Sequence, residues 1–352
     1  QKEMNIFKYR NFYNGGGVAI GDINNDGLPD VYLTANMGEN KLYLNKGDFK
    51  FEDISKSSGV TGSKPWSTGV VMVDINQDGL LDIYVCQAGN TEGNNQDNEL
   101  FINNGDLTFT EKAQEYNLAK SGFTIHASFF DYDKDGDLDA YILNNSNIPV
   151  NTLGYADQRE KRAENWENIP EIFRGVGDML LRNDNGKFVD VSEESGIYGS
   201  LIGIDLGVMV SDINGDLYPD IYVTNDFYER DYLYINNGDG TFKEDVKNWT
   251  QHVNLSAMGV DMADINNDGN LDIIMSGNEF SMTASLGRYD ALNGLLLFGD
   301  GDFSNNKGMA AASMTRASRA LTLTSLFQHT VEYILKSVKN LYFEITGFWG
   351  FG

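Results

Sequence analysis

Short apolar runs with alternating polar positions recur along the chain. "GVAIGDI" and "DVYLTAN" flank one polar stretch near the start, and "GVDMADI" and "DIIMSGN" flank another further on. A period of two argues for half-buried β-strands. A second pair of runs follows each of the first four polar stretches. They read "KLYLNKGDFKFEDISKSSGV", "ELFINNGDLTFTEKAQEYNL", "MLLRNDNGKFVDVSEESGI" and "YLYINNGDGTFKEDVKNWT". Each is a short strand, a tight Asn/Gly/Asp turn and another short strand, since these residues supply the backbone a hairpin turn needs. One unit is thus strand, polar loop, strand, connection, strand, hairpin turn, strand. Four-stranded units recurring at about 50 residues predict an all-β chain of the β-propeller class, with radially packed blades.

The polar loops carry one nine-residue phrase. It reads "DINNDGLPD" from Asp22, "DINQDGLLD" from Asp74, "DYDKDGDLD" from Asp131, "DINGDLYPD" from Asp212 and "DINNDGNLD" from Asp264. Carboxylate or Asn side chains fall at positions 1, 3, 5 and 9, with Gly usually at 6. Alternate oxygens before a glycine bend can converge on one point, as calcium's shell of six to eight hard oxygen ligands requires. Position 7 can add a backbone carbonyl. An EF-hand opens in the same way but needs Glu at position 12 and flanking helices. Here position 12 of the first phrase is Leu33 and the flanks read as strands.

The candidate ligands of the first site are Asp22, Asn24, Asp26 and Asp30, and of the second Asp74, Asn76, Asp78 and Asp82. The third, the most acidic, offers Asp131, Asp133, Asp135 and Asp139. The fourth offers Asp212, Asn214, Asp216 and Asp220, and the fifth Asp264, Asn266, Asp268 and Asp272. The fourth departs from the pattern, with Gly215 at position 4 and Leu217 at the glycine position. A weaker or differently shaped site is expected there. Tyr32, Tyr84, Tyr141 and Tyr222 each stand two residues after a closing acid, which predicts packing between blades.

Charge strengthens the metal reading. The formal net charge is −26, and so much like charge repels itself in a compact state. About four to five Ca²⁺ ions would offset much of it. The same charge argues against nucleic acid and anionic membranes, which want clustered Lys and Arg. Cys86 is the only cysteine, so no internal disulfide forms. No signal peptide and no apolar stretch long enough to span a bilayer are visible, and the chain reads as a mature form or a fragment.

These units resemble FG-GAP repeats, also called VCBS repeats, of integrin α-chain propellers and many bacterial surface proteins. The run "GVMVSDINGDLYPDIYVTNDFYERDYLYINNGDGTF" resembles the ASPIC/UnbV branch, which includes cartilage acidic proteins and Bacteroidetes surface lipoproteins. The resemblance covers roughly residues 12–303 and implies calcium loops on a propeller of six or seven blades, five of them plain as repeats. It implies a binding or scaffolding role rather than one chemistry, since a fold does not fix a function.

Two segments depart from the repeat. Residues 153–176, within "GYADQREKRAENWENIPEIFRG", are charged and lack strand alternation, and read as an insert. From residue 304 to 352 no Asp occurs, and Leu323, Phe327, Val331, Ile334, Val338, Leu341 and Ile345 recur at helical spacing. This tail predicts an amphipathic helix beside a propeller of residues 1–303. "GRYDALNGLLLFGDGDFS" reads as strands of a further blade.

No nucleophile–base set, zinc motif or P-loop is found, and His126, His252 and His329 lie far apart in sequence. The expected function is a non-catalytic, extracellular calcium-binding module, at a bacterial surface by the resemblance, for a surface protein partner. It would act in adhesion or as a subunit of a membrane complex, in a parent chain with a possible lipid anchor. A glycan-binding module, with Trp66 and Trp249 as candidate platforms, is the alternative. A carbohydrate-active lyase or hydrolase ranks behind both.

Overall fold

Each nine-residue phrase closes an antiparallel pair of strands. The residue before position 1 pairs with the Asp at position 9: Gly21 with Asp30, Val73 with Asp82, Phe130 with Asp139, Ser211 with Asp220 and Ala263 with Asp272. The computed structural model describes residues 15–89, 95–145, 177–198, 203–226, 229–250, 257–265, 267–277 and 295–298. The chain divides into two compact units, 1–298 and 299–352, and all of the described residues lie in the first.

The first sheet is β1 (Val18–Gly21), β2 (Asp30–Leu33), β3 (Lys41–Asn45) and β4 (Phe51–Asp53). The second is β5 (Ser67–Val73), β6 (Asp82–Gln87), β7 (Glu99–Asn103) and β8 (Phe109–Glu111). The third is β9 (Thr124–Phe130), β10 (Asp139–Asn144), β11 (Met179–Asn183) and β12 (Phe188–Asp190). The fourth is β13 (Asp205–Ser211), β14 (Asp220–Asn225), β15 (Tyr232–Asn236) and β16 (Phe242–Glu244). The fifth holds β17 (Ala257–Ala263), β18 (Asp272–Gly277) and β19 (Leu295–Phe298). Every sheet is an antiparallel meander in chain order. The run around β19 was expected to begin a further blade. Instead β19 pairs with β18, Ile273 opposite Phe298, as the third strand of the fifth sheet. The insert, the tail and any sixth or seventh blade lie outside the described residues.

The structure adds one element that period-two alternation does not predict. After the fourth strand of each complete sheet comes one helical turn: α1 (Ser55–Ser58), α2 (Ala113–Tyr116), α3 (Ser192–Ser195) and α4 (Val246–Trp249). An acid two residues before each turn accepts its first amide. Ser55 N–H donates to Asp53 at 3.0 Å, Ala113 to Glu111 at 2.8 Å, Ser192 to Asp190 at 3.0 Å and Val246 to Glu244 at 3.0 Å. Such turns are too short for a 3.6-residue period to register.

The first strands lie against one another in series: β1 on β5, β5 on β9, β9 on β13 and β13 on β17. Gly69 permits one approach, since a Cβ there would collide with the Ile125 carbonyl. The core is a set of apolar layers between successive sheets. Tyr32, Leu42 and Leu44 of the first sheet pack against Val70, Ile83, Val85 and Phe101 of the second. Tyr84, Leu100 and Ile102 meet Ala140, Ile142 and Leu181, and Tyr141 and Leu180 meet Ile221, Val223 and Tyr234. Tyr222 and Leu233 meet Ile273 and Met275. Each large buried side chain contributes about 1.5–3 kcal/mol. On the first sheet's other face, Val18 is 59% and Ile20 67% exposed.

Candidate functional site

The five acidic loops share one backbone conformation. Position 4 is left-handed in each: Asn25, Gln77, Lys134, Gly215 and Asn267 have φ from 57° to 77°. Position 6 is left-handed as well, with φ from 75° to 99° at Gly27, Gly79, Gly136, Leu217 and Gly269. The sequence pointed to the sixth position only. Two left-handed residues wind the loop so that its amides turn inward onto the acids.

In the first loop Asp26 N–H donates to Asp22 Oδ1 at 3.1 Å and Asn24 Oδ1 at 3.2 Å, Gly27 to Asp22 Oδ2 at 2.7 Å and Leu28 to Asp26 Oδ1 at 2.9 Å. The second loop repeats this set on Asp74, Asn76 and Asp78, and the third on Asp131, Asp133 and Asp135. In the fifth, Asp264 accepts from Asp268 and Gly269, and Asp268 from Asn270. Asn266 lies outside the described residues. Of the weaker or differently shaped site expected at the fourth loop, the different shape is not found: Gly215 and Leu217 take the same left-handed φ as the other loops. Leu217 N–H donates to Asp212 Oδ2 at 2.9 Å as a glycine does elsewhere, and Asp216 meets Asp212 and Asn214 at 3.1 and 2.8 Å. The left-handed fold survives there because Leu217 is 75% exposed and meets no steric obstacle beyond its own backbone strain.

The ninth-position acids do a second job. Asp30 Oδ2 accepts from Ile23 N–H at 3.0 Å and Oδ1 from Asn45 N–H at 2.7 Å. Asp82 takes Ile75 and Asn103, Asp139 takes Tyr132 and Asn183, and Asp220 takes Ile213 and Asn236. Each buried carboxylate thus ties the acidic loop to the end of the third strand. The Asn at that strand end returns its amide to the residue-8 carbonyl: Asn45 to Pro29, Asn103 to Leu81, Asn183 to Leu138 and Asn236 to Pro219. Burial pushes Asp82 up to about 6 and Asp139 up to about 7, and raises Asp30 and Asp220, against the lowering effect of these amides.

The third loop fits a cation most plainly. One carboxylate oxygen each from Asp131, Asp133 and Asp139 lies within 4.8 Å of the others. No donor reaches Asp137 Oδ1, a buried oxygen whose charged neighbours are Asp135, Asp133 and Asp131. Burial and those neighbours push Asp137 up to about 6. Crowded hard oxygens with a shortage of positive charge are what a divalent cation relieves. Asp131, Asp133, Asp135 and Asp139 would hold it, with the Asp137 carbonyl or carboxylate as a further donor.

The recurrent tyrosines pack between sheets as expected, and they also hydrogen-bond. Tyr141 donates to Asp178 Oδ2 at 2.6 Å and Tyr222 to Asp231 Oδ2 at 3.0 Å. Asn98 donates to the Tyr84 hydroxyl at 2.9 Å, and Tyr32 donates to Val60 O at 2.6 Å beside Asn40. Asn40, Asn98, Asp178 and Asp231 each precede a third strand, a recurrence visible in the sequence once the strands are aligned. Among the alternative sites, Trp66 is buried against Ala88 and Phe123, which removes it as a glycan platform, whereas Trp249 is exposed. Burial lowers the pKa of His126, and His252 and His329 lie outside the described residues. Burial also pushes the Cys86 thiol up.

Similarities to known proteins follow the same repeats. Cartilage acidic protein 1 of Xenopus tropicalis is 34% identical over 139 residues, 38% of this chain and 20% of that protein. The Homo sapiens protein of that name is 25% identical over 249 residues, 70% of this chain and 33% of that protein. The chain thus spans a third or less of the length of the curated relatives it matches. Among solved structures, a mutant of AofleA from Arthrobotrys oligospora aligns over 81% of this chain and 70% of its own, at 12% identity and a TM-score of 0.45. The model of the FG-GAP-like repeat matches residues 22–85, 88–142 and 212–275, about half of the chain, and all five acidic phrases lie inside the matched stretches. With its strand–loop–strand units built to one hydrogen-bond pattern, the chain belongs to the FG-GAP-like repeat family.

Proposed function

We propose that this chain is a non-catalytic, calcium-stabilised β-propeller module that works outside the cell. It presents a rigid surface to a protein partner, as an adhesion module or a subunit of a surface complex. The observation that carries the calcium reading is the third loop, where Asp131, Asp133 and Asp139 converge within 4.8 Å and Asp137 Oδ1 has no donor. Calcium neutralises the loop oxygens, and the ninth-position acids pass that order to the hairpin of each sheet. The extracellular setting is the one that suits such sites: calcium sites of weak to moderate affinity, with Kd on the order of 10⁻⁴–10⁻³ M, fill outside cells and stay largely empty in cytosol. A bacterial surface location rests on the resemblance to surface lipoproteins.

The test has two arms. Removal of calcium is expected to lower the Tm by several degrees, and an unchanged melt of verified metal-free protein rejects the structural role. Affinity capture from a native surface extract, in calcium and in chelator, is expected to retain a stoichiometric protein in calcium only. Retention of polysaccharide instead selects the glycan reading, for which exposed Trp249 is the first residue to change.

A further inference from the structure

The acidic loops are joined to one another by the side chain at position 4. Asn25 Nδ2 of the first loop donates to the Gly79 carbonyl of the second at 3.0 Å. Gln77 Nε2 of the second donates to the Gly136 carbonyl of the third at 2.8 Å. Lys134 of the third places its ammonium 4.0 Å above the ring of Tyr218 in the fourth. The three contacts start from the same repeat position and cross to the same part of the next loop. The left-handed backbone at position 4 aims these side chains out of their own loop.

The carbonyl they hold has a defined place in the neighbour. Gly79 O and Gly136 O belong to the peptides linking positions 6 and 7, whose N–H groups, on Leu80 and Asp137, donate to Asp78 and Asp135. Each of these peptides is therefore pinned at both ends, by its own loop through nitrogen and by the preceding loop through oxygen. Pinning that plane fixes the chain direction at position 7, whose own carbonyl is the backbone donor a cation would use. We infer that Asn25 and Gln77 are positioning residues for the cation sites of the second and third loops rather than for their own, so that each site is completed from the preceding sheet. This rests on the calcium reading. Lys134 serves the fourth loop by holding the side chain of its position 7, next to strained Leu217. The series stops there, because Gly215 has no side chain to extend toward the fifth loop.

Directionality makes this testable. Calcium isotherms and ion counts by native mass spectrometry are measured on the full chain carrying Asn25→Ala. One ion is expected to bind about 3- to 10-fold more weakly, the scale of an outer-shell hydrogen bond. In a background where the second loop is disabled by Asp78→Asn, Asn25→Ala is expected to have no further effect. In a background where the first loop is disabled by Asp26→Asn, the full weakening should remain. The reverse pattern, or no weakening in any background while ions are counted, overturns the inference and leaves the calcium reading standing. A protein that binds no ions at all overturns both. Asn25 and Gln77 are exposed, so neither substitution empties the core. Gly215→Asn supplies the missing side chain and is expected to tighten the fifth site about 3-fold, the scale of one weak hydrogen bond.

Discussion

Asp231 is wholly buried, yet it stands where the first two sheets have Asn40 and Asn98. Its oxygens accept from Asn225 N–H at 2.8 Å and the Tyr222 hydroxyl at 3.0 Å, and burial pushes it up to about 7 from 3.8. A carboxyl with a raised folded pKa adds stability at low pH and loses it as the pH rises through about 7. Asp231→Asn keeps an acceptor for the Asn225 amide, as Asn98 does for Gln87 at 2.8 Å. It should therefore stabilise the protein by roughly 1–3 kcal/mol at pH 8 and have little effect near pH 4. Denaturant titrations at the two pH values check the sign. Leu217→Gly should gain about 1 kcal/mol, since it removes left-handed strain at an exposed position. The acids, the tyrosines and the odd fourth loop were legible in the sequence because they recur at a fixed spacing. A weaker or differently shaped fourth loop is expected from sequence because a non-glycine residue disfavours the left-handed bend at position 6. In the structure the loop amides and acids enforce the bend on leucine too.

Within a sheet, the carboxylates of one acidic loop are unequal. Asp78 is exposed and takes amides from its own loop, whereas Asp82 is buried and joins that loop to the hairpin of β7 and β8. Asp82→Ala leaves two amides without an acceptor and should cost about 2–4 kcal/mol, in chelator as well as in calcium. Asp78→Ala should cost stability chiefly in calcium. Melts of both variants under both conditions separate the two roles, and equal responses would refute the division. Among metal sites, Asp135→Ala should destabilise more than Asp216→Ala in calcium, because the third loop is the most crowded with acids. Strand order and hairpins were legible from period-two patterning and Asn/Gly/Asp turns. The short helices were not, since a single turn held by one acid leaves no periodic trace. The Asn clamps, such as Asn103 reaching Leu81 O and Ile23 O, join residues far apart in sequence, and only an alignment of the repeats exposes them.

At the scale of the molecule, five sheets touch mainly their neighbours in series, so stability is close to a sum of repeats and interfaces. Amide hydrogen exchange should be slowest in β6, β10 and β14, which are buried on both faces, and faster in β1 and β2. Uniform protection across the sheets would contradict the stacked arrangement. Serial stacking was foreseeable from the repeat spacing, whereas the contacts between acidic loops required the structure. Serial packing also sets how damage spreads. A cavity cut into one apolar layer strikes the two sheets that share it, as Leu100→Ala would strike the second and third. Layers further along the series keep their own contacts, so the fault stays local.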